Sequence, residues 1–287
     1  MDSARHKEIL TILSKSSGLP FQRTINNLVK NTKGYSTNYE VPFTFPDSNG
    51  PILGVQGSID IVGFYSLHDK YLPCLFIECK RAYREYKSWV ILGKNKVGKI
   101  LCVARLRKTN PQGEYSYSTF FEPVELNGIE TDLYMGEHIV EINEKNKDIN
   151  TNHQDTAQKS LLQANHGLKA IASGTSFENI LEVAKTQKEL VQLFMPVVVT
   201  NAELLIMDFD RYQADLSTGM LDVDIAELKS VPWVIYNYDP PDYLSIRGQI
   251  DPNQAETEVL NRRHTFIVNS NHLQDFLNKL TEVSTRR

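Results

Sequence analysis

Residues Ser58–Ala82, SIDIVGFYSLHDKYLPCLFIECKRA, form the most informative segment of the chain. Two runs rich in β-branched and aromatic residues flank the polar residues 68–70, and this pattern predicts a β-hairpin. Asp60 lies in the first run, and the second run ends in Glu78-Cys79-Lys80. Because charged groups lose hydration inside apolar strands, these residues are the first candidates for a functional site.

The alternation of side chains along a strand places Glu78 and Lys80 on one face and Cys79 on the other. At a rise of about 3.3 Å per residue, the Cα atoms of Glu78 and Lys80 lie about 7 Å apart. If the first strand pairs so that Asp60 points to the same face, three charged groups converge. Two carboxylates and a backbone carbonyl suit a hard cation such as Mg²⁺, so the hairpin predicts a metal site.

The composition is that of a soluble globular protein, with 287 residues of which 41% are hydrophobic. The first ten residues contain no apolar region that could direct export or span a bilayer, so we expect a cytoplasmic protein with no membrane association. The three cysteines are too few for a disulfide framework, and no HExxH or CxxC spacing indicates zinc.

Basic residues are concentrated directly after the hairpin, although the whole chain has a net charge of -4. Residues 80–108 contain ten basic residues and one acid. A basic segment next to a candidate site in an acidic protein is typical of contact with a phosphate backbone, whereas the alternative is a solvated loop carrying lysines. The predicted nucleic-acid-binding residues are Arg81, Arg84, Lys87, Lys94, Lys96 and Lys99.

The other periodicities predict a mixed α/β order. Before the hairpin they indicate helices at 2–16 and 21–30 and a strand at 35–45, which Pro42 places towards a sheet edge or a bend. Short strands are predicted at 89–92, 100–106, 115–121 and 138–142. Helices at 154–172 and 177–194 precede an apolar strand at 196–200. Strands at 202–208, 232–238 and 265–268 and a helix from Leu273 follow.

This order, with Asp60 on the second strand and Glu78-x-Lys80 on the third, resembles the PD-(D/E)xK nuclease superfamily. The resemblance implies an α/β, restriction-endonuclease-like fold, in which an αβββαβ core has a central mixed sheet flanked by helices. A β-rich insertion and a C-terminal extension would be added to this core. We expect a single domain, with the core at about 20–82 and 154–201, the insertion at about 83–150 and the extension at about 202–287.

The resemblance also implies the chemistry. Asp60 and Glu78 would bind the metal together with the backbone carbonyl of Cys79, and Lys80 would be the catalytic lysine. The implied activity is a Mg²⁺- or Mn²⁺-dependent endonuclease that hydrolyses phosphodiester bonds in DNA, with a restriction or phage-defence role, and RNA stays open as a substrate. Cleavage of both strands would favour a homodimer, which places two sites on opposite strands.

Further site residues are left open by the resemblance. Many members of the superfamily carry a glutamate in the first helix, where this chain has Gln22, and either Glu40 or Glu8 is an alternative for that acid. Some members add a glutamine on the helix that follows the third strand, and Gln158 and Gln163 are the two candidates here.

Two other interpretations compete with a nuclease site. The charged triplet can form a salt bridge at the rim of a sheet, a common arrangement that contributes little stability. The Gln22 position also suits a nucleic-acid-binding module that kept the fold and lost catalysis.

The segment 93–100 resembles a P-loop, but Ile100 lacks the required hydroxyl and a predicted strand follows where a helix is needed.

Overall fold

The computed structural model describes residues 3–16, 18–47, 50–66, 71–82, 85–94, 100–110, 115–126, 134–150, 157–173, 189–208, 214–238, 263–281 and 283–284. These residues form an α/β protein with a large mixed sheet and helices packed on both faces. No helix in this part of the chain has the length and hydropathy needed to cross a membrane.

The helices and strands are numbered in chain order. The helices are α1 (Ser3–Ser16), α2 (Leu19–Asn31), α3 (Ala157–Ser173) and α4 (Leu273–Leu280). The first strands are β1 (Tyr35–Asp47), β2 (Gly50–Tyr65), β3 (Tyr71–Lys80), β4 (Ser88–Lys94), β5 (Ile100–Thr109), β6 (Tyr115–Leu126) and β7 (Met135–Asn143). The later strands are β8 (Asp148–Ile149), β9 (Glu189–Thr200), β10 (Glu203–Asp208), β11 (Lys229–Ser230), β12 (Trp233–Tyr238), β13 (Arg263–Asn269) and β14 (Val283–Ser284).

The predicted hairpin is present and lies in a mixed sheet whose order is β1-β2-β3-β9-β13-β12-β7-β4-β10-β11. β2 runs antiparallel to both β1 and β3, whereas β9 runs parallel to both β3 and β13. β1 ends the described order, as its proline predicted. Strands from 83–150 and 202–287 continue the sheet that begins in the predicted core, and β13 lies directly beside β9.

β9 corrects one prediction from the sequence. The periodicity assigned Val191 and Phe194 to a helix over 177–194, but both lie in a strand that begins at Glu189. Residues 177–188 of that predicted helix lie outside the described residues. The strand is buried on both faces, because Val191 and Leu193 pack on one side and Leu190 and Phe194 on the other. A continuous apolar run of this kind carries no period that separates helix from strand.

The two faces of the sheet have separate cores. Phe76 of β3 packs in the core beneath α3, with Leu161 and Leu168, whereas Ile77 packs in the core beneath α2 and α4. The alternation predicted for β3 is therefore confirmed. Glu78 follows Phe76 by two residues, so it projects to the face that α3 covers.

A buried carboxylate from another part of the sheet fixes the start of α3. Glu141 of β7 is 6% exposed, and its Oε1 accepts a hydrogen bond of 2.8 Å from the backbone N–H of Ala157. Its Oε2 accepts a bond of 3.3 Å from the Asn150 side chain. Since the first N–H groups of a helix lack intrahelical acceptors, this carboxylate caps α3 over the sheet.

Replacing Glu141 by alanine should lower the free energy of unfolding by about 1–3 kcal/mol, because it removes the acceptor of the buried Ala157 N–H and the bond to the half-buried Asn150 side chain. Urea unfolding followed by circular dichroism measures the change. Glu141→Gln should lose less, since its amide oxygen still accepts one of the two bonds. Equal stability of the wild type and the alanine variant would show that the cap contributes nothing.

Candidate active site

β2 and β3 separate at Asp60. Their backbone pairing ends with Ile61 opposite Ile77, one residue before Asp60 and Glu78 would face each other. Beyond this point the backbone N–H of Cys79 donates to Asp60 Oδ2 at 2.7 Å. A side-chain carboxylate thus takes the place of a strand carbonyl where the two strands separate.

Gln22 of α2 makes the second contact with Asp60. Its Nε2 donates to Asp60 Oδ1 at 3.0 Å, so both carboxylate oxygens accept a hydrogen bond. Burial raises the pKa of Asp60, and the bonds from Cys79 and Gln22 oppose that rise without cancelling it. The glutamine that stands where an acid was expected therefore contacts the candidate metal ligand directly.

Glu78 is the least satisfied polar group of the site. It is 5% exposed, and its Oε2 has no hydrogen-bond partner among the described residues. Burial raises the pKa of Glu78, the nearby Asp60 carboxylate raises it further, and the charges of Lys80 and Lys159 act in the opposite direction. Two buried carboxylates side by side are unfavourable unless a cation accompanies them.

Two lysines act electrostatically on this acid from different elements. Lys80 ends β3, is half-buried and, by strand alternation, projects to the same face as Glu78. Lys159 lies in the first turn of α3 and is exposed. The sequence did not single out Lys159, because its place near Glu78 depends on how α3 crosses the sheet.

Close packing determines how α3 crosses the sheet. A Cβ atom on Gly167 would lie 3.1 Å from the Cβ of Ile59, so α3 contacts β2 next to Asp60 with no room for a side chain. The side chain of Asn165 donates to Thr265 Oγ1 of β13 at 2.8 Å. Together with the Glu141 cap, these contacts hold α3 over the two acids.

At Glu40, the side chains of β1 and β2 change the face of the sheet to which they point. Tyr39 pairs with Ile61 and packs on the α2 side, whereas Val41 pairs with Ile59 and packs on the α3 side. Glu40, between the two pairs, has a φ of 51°, in the left-handed region that non-glycine residues rarely adopt. This residue stands across from the buried aspartate, and its charge raises the pKa of that acid.

The remaining accessory candidates lie around the two acids. Glu40 and Gln158 are exposed, Gln163 is half-buried one helical turn beyond Lys159, and Glu8 is exposed on α1. In the described part of the chain, no three His, Cys, Asp or Glu side chains form a group able to hold a metal. The buried acids where β2 leaves β3 are Asp60 and Glu78.

Two of the predicted nucleic-acid-binding side chains are described. The Arg81 guanidinium donates to the backbone carbonyl of Ser14, which ties the end of α1 to the segment after β3. Lys87 is exposed, and its carbonyl accepts from the Glu203 N–H at 2.7 Å. The side chains of the other four, Arg84, Lys94, Lys96 and Lys99, lie outside the described residues.

The basic segment does not form one patch. Arg105 of β5 is half-buried, and its guanidinium lies 5.6 Å from the centroid of the Phe194 ring. Its register partner Gln192 pairs with Leu72 near the start of β3, whereas Lys80 ends that strand. Arg105 therefore lies level with the start of β3, at the other end of this strand from Glu78 and Lys80. The number of basic residues in the segment is larger than the number that lie near the site.

Comparisons with protein-family models, with curated proteins and with solved structures each found no match to this chain. A fold can host many activities, and function has to be argued from the groups of the site. The buried acids and the two lysines near them are those groups.

Proposed function

We propose that this protein is a metal-dependent nuclease that hydrolyses phosphodiester bonds in DNA. The observation that carries the proposal is Glu78, a buried carboxylate whose Oε2 has no hydrogen-bond partner among the described residues, beside the buried Asp60 and on the same strand face as Lys80. A structural salt bridge would leave no buried oxygen unsatisfied, whereas a cation site does so whenever its ion is absent.

The arrangement of elements supports a restriction-endonuclease-like core as part of this proposal. α2, the antiparallel strands β1, β2 and β3, α3 and the parallel β9 follow one another in the expected order, and the segment 83–150 is inserted before α3. Asp60 lies on the second of these strands and Glu78 on the third. A restriction or phage-defence role belongs to the same proposal.

The acids fit a hard divalent cation. Mg²⁺ or Mn²⁺ would be held by Asp60, Glu78 and the Cys79 carbonyl, since Mg²⁺ commonly uses one or two carboxylates and keeps several waters. The hydrogen bonds from Gln22 and Cys79 leave further lone pairs on the Asp60 oxygens. When bound, the cation would polarise the phosphate and lower the pKa of a coordinated water.

The other side chains would position and neutralise the substrate. Lys80, a half-buried cation beside the acids, would donate hydrogen bonds to the attacking water and stabilise charge on the phosphate oxygens. Lys159, whose charge acts on Glu78 from α3, would contact a phosphate oxygen of the substrate. Gln22 would keep the Asp60 carboxylate in one orientation.

Replacing Lys80 by alanine should reduce cleavage of plasmid DNA in Mg²⁺ or Mn²⁺ on the order of 10²- to 10³-fold, since a positioned cation at the reacting phosphate is lost. EDTA should abolish cleavage by the wild type. Lys33→Ala is the control, because this exposed lysine precedes Tyr35, which pairs with Tyr65 at the end of β2 that lies beside the start of β3, away from Glu78 and Lys80. Equal cleavage by the wild type and Lys80→Ala, or cleavage that persists in EDTA, would overturn the proposal.

A non-catalytic nucleic-acid-binding module is the second candidate, and the specific observation in its favour is Gln22 in contact with Asp60 where the superfamily often has an acid. This candidate predicts salt-dependent DNA binding without metal-dependent cleavage. A quantitative binding assay beside the cleavage assay separates the two functions.

A further inference from the structure

A cavity of about 510 Å³ lies between the segment that leads into β12 and the helix α4. Its lining includes Trp233 and Pro232 on the strand side and His272, Asp275, Asn278 and Lys279 on the helix side. An apolar wall with a few polar groups and a volume in this range is typical of a small-ligand site.

The cavity and the candidate active site lie at the same ends of the sheet strands. Cys79 pairs with Val199, Val199 with Val268, and Val268 with Trp233, so one row of residues crosses four neighbouring strands. With strands about 4.8 Å apart, Trp233 is about 14 Å from Cys79 along this row. The cavity lies on the face that α4 covers, so a nucleic-acid strand would reach it from the acids by passing around these strand ends.

The lining groups suit a nucleotide. Lys279 Nζ lies 5.2 Å from the centroid of the Trp233 ring, which holds the ammonium at the cavity. Trp233 is 4% exposed, and its indole N–H has no acceptor in the described part of the chain. A buried donor without a partner is unfavourable, and a carbonyl acceptor on a ligand would satisfy it.

The carboxylate and the amide limit the ligand further. Asn278 Oδ1 accepts from Gln274 Nε2 at 3.2 Å, which leaves its Nδ2 as a donor towards a ligand. The Asp275 carboxylate accepts hydrogen bonds and would repel a simple anion, but it matches an exocyclic amino group such as that of cytosine. A nucleotide has amino and carbonyl groups on one edge of its base and a phosphate at its other end, so it matches these lining residues.

We propose that this cavity binds one nucleotide of the substrate strand, with its base against Trp233 and Pro232 and its phosphate on Lys279. The inference rests on the proposed nuclease function. Because successive phosphates of one strand rise about 3.4 Å in B-form DNA, the bound nucleotide would lie about four nucleotides from the cleaved bond. The cavity would then hold the strand in register for cleavage.

The test is fluorescence anisotropy of a labelled single-stranded 12-mer in EDTA, where no cleavage occurs. Lys279→Ala should bind about three- to tenfold more weakly at moderate salt and lower the salt dependence by about 0.7, because one phosphate contact is lost. Lys279→Arg should restore binding, since it keeps the charge. Lys145→Ala, which removes an exposed lysine in the turn at the other end of β7 from its pairing with β12, should bind like the wild type.

A second measurement separates the cavity from the nuclease. Titration with deoxycytidine monophosphate should change the tryptophan fluorescence of the wild type and not that of Lys279→Ala. If the oligonucleotide binds the wild type and Lys279→Ala equally, the cavity assignment is overturned and the nuclease proposal stands. If the mononucleotide binds through Lys279 but no oligonucleotide binds at low salt, the nucleotide site stands and the nuclease proposal falls.

Discussion

Replacing Glu78 by glutamine should abolish metal-dependent cleavage and at the same time stabilise the protein in the absence of divalent cations. The carboxylate is 5% exposed, lies beside the buried Asp60 and leaves Oε2 without a hydrogen-bond partner among the described residues. Burial of a charge without a partner costs several kcal/mol, whereas a neutral amide of the same shape carries a smaller penalty. We expect the free energy of unfolding in EDTA to rise by about 1–3 kcal/mol.

The matched control is Glu141→Gln. Glu141 is also a buried strand glutamate, but both of its oxygens accept hydrogen bonds from Ala157 and Asn150. The same chemical change should therefore destabilise the protein at Glu141 and stabilise it at Glu78. Opposite signs in urea unfolding would identify Glu78 as a group kept for function at the expense of stability. A loss of stability at both positions would show that Glu78 is a structural residue.

Divalent cations should reverse the order of stability. The wild type gains stability from any ion that binds only the folded state, by about 2.7 kcal/mol at a concentration of 100 times the dissociation constant. Glu78→Gln lacks one ligand and should gain little. A thermal melt in Mn²⁺ and in EDTA measures both effects, and equal shifts in the two proteins would place the cation elsewhere.

The pH dependence of the metal-free protein follows from the same burial. Because burial and Asp60 raise the pKa of Glu78, the folded state keeps a proton that the unfolded chain releases near pH 4.3. The stability associated with this proton is complete below that pH and is lost as the pH rises towards the raised pKa of the folded state. The advantage of Glu78→Gln in EDTA should therefore grow with pH.

Replacing Lys159 by alanine should lower kcat/KM for DNA cleavage about 10- to 100-fold, since α3 would lose its cation at the substrate phosphate. The side chain is exposed, so the stability of the fold should change by less than about 0.5 kcal/mol. Lys159→Arg should recover most of the activity, because the positive charge is retained. A structural role for Lys159 would instead lower stability and activity together.

Binding without metal gives an independent measure of the same contact. In EDTA, the logarithm of the DNA affinity of Lys159→Ala should depend less steeply on the logarithm of salt concentration, by about 0.9. Lys33→Ala removes the same charge at the opposite edge of the sheet and should leave the slope unchanged. An unchanged slope in Lys159→Ala would show that this lysine does not contact the DNA backbone.

Local geometry made several features predictable from the sequence. The hairpin, the edge position of β1 and the shared face of Glu78 and Lys80 all follow from alternation and turn residues within a few positions of each other. The start of β9 was not predictable in this way. A strand buried on both faces is apolar throughout, so its first residues matched a helical stripe as well as a strand.

The composition of the site depended on contacts between distant parts of the chain. Gln22 and Asp60 are 38 positions apart, and their hydrogen bond exists because α2 packs where β2 leaves β3. The charge of Lys159 acts on Glu78 because α3 is capped by Glu141 and packed against β2. The basic residues of 80–108 also lie at both ends of the strands, which a count of charges along the sequence cannot show.

The sequence by itself determined that an acid and a lysine share one face of β3 after an aspartate on the preceding strand, because a strand's two-residue repeat is a property of the local backbone. Only the tertiary structure decided that Asp60 and Glu78 are buried, that Oε2 of Glu78 has no partner in the described part of the chain, and that the charge of a second lysine acts on Glu78. Burial and pairing depend on which helices cover the sheet, and that is set by the packing of the whole chain.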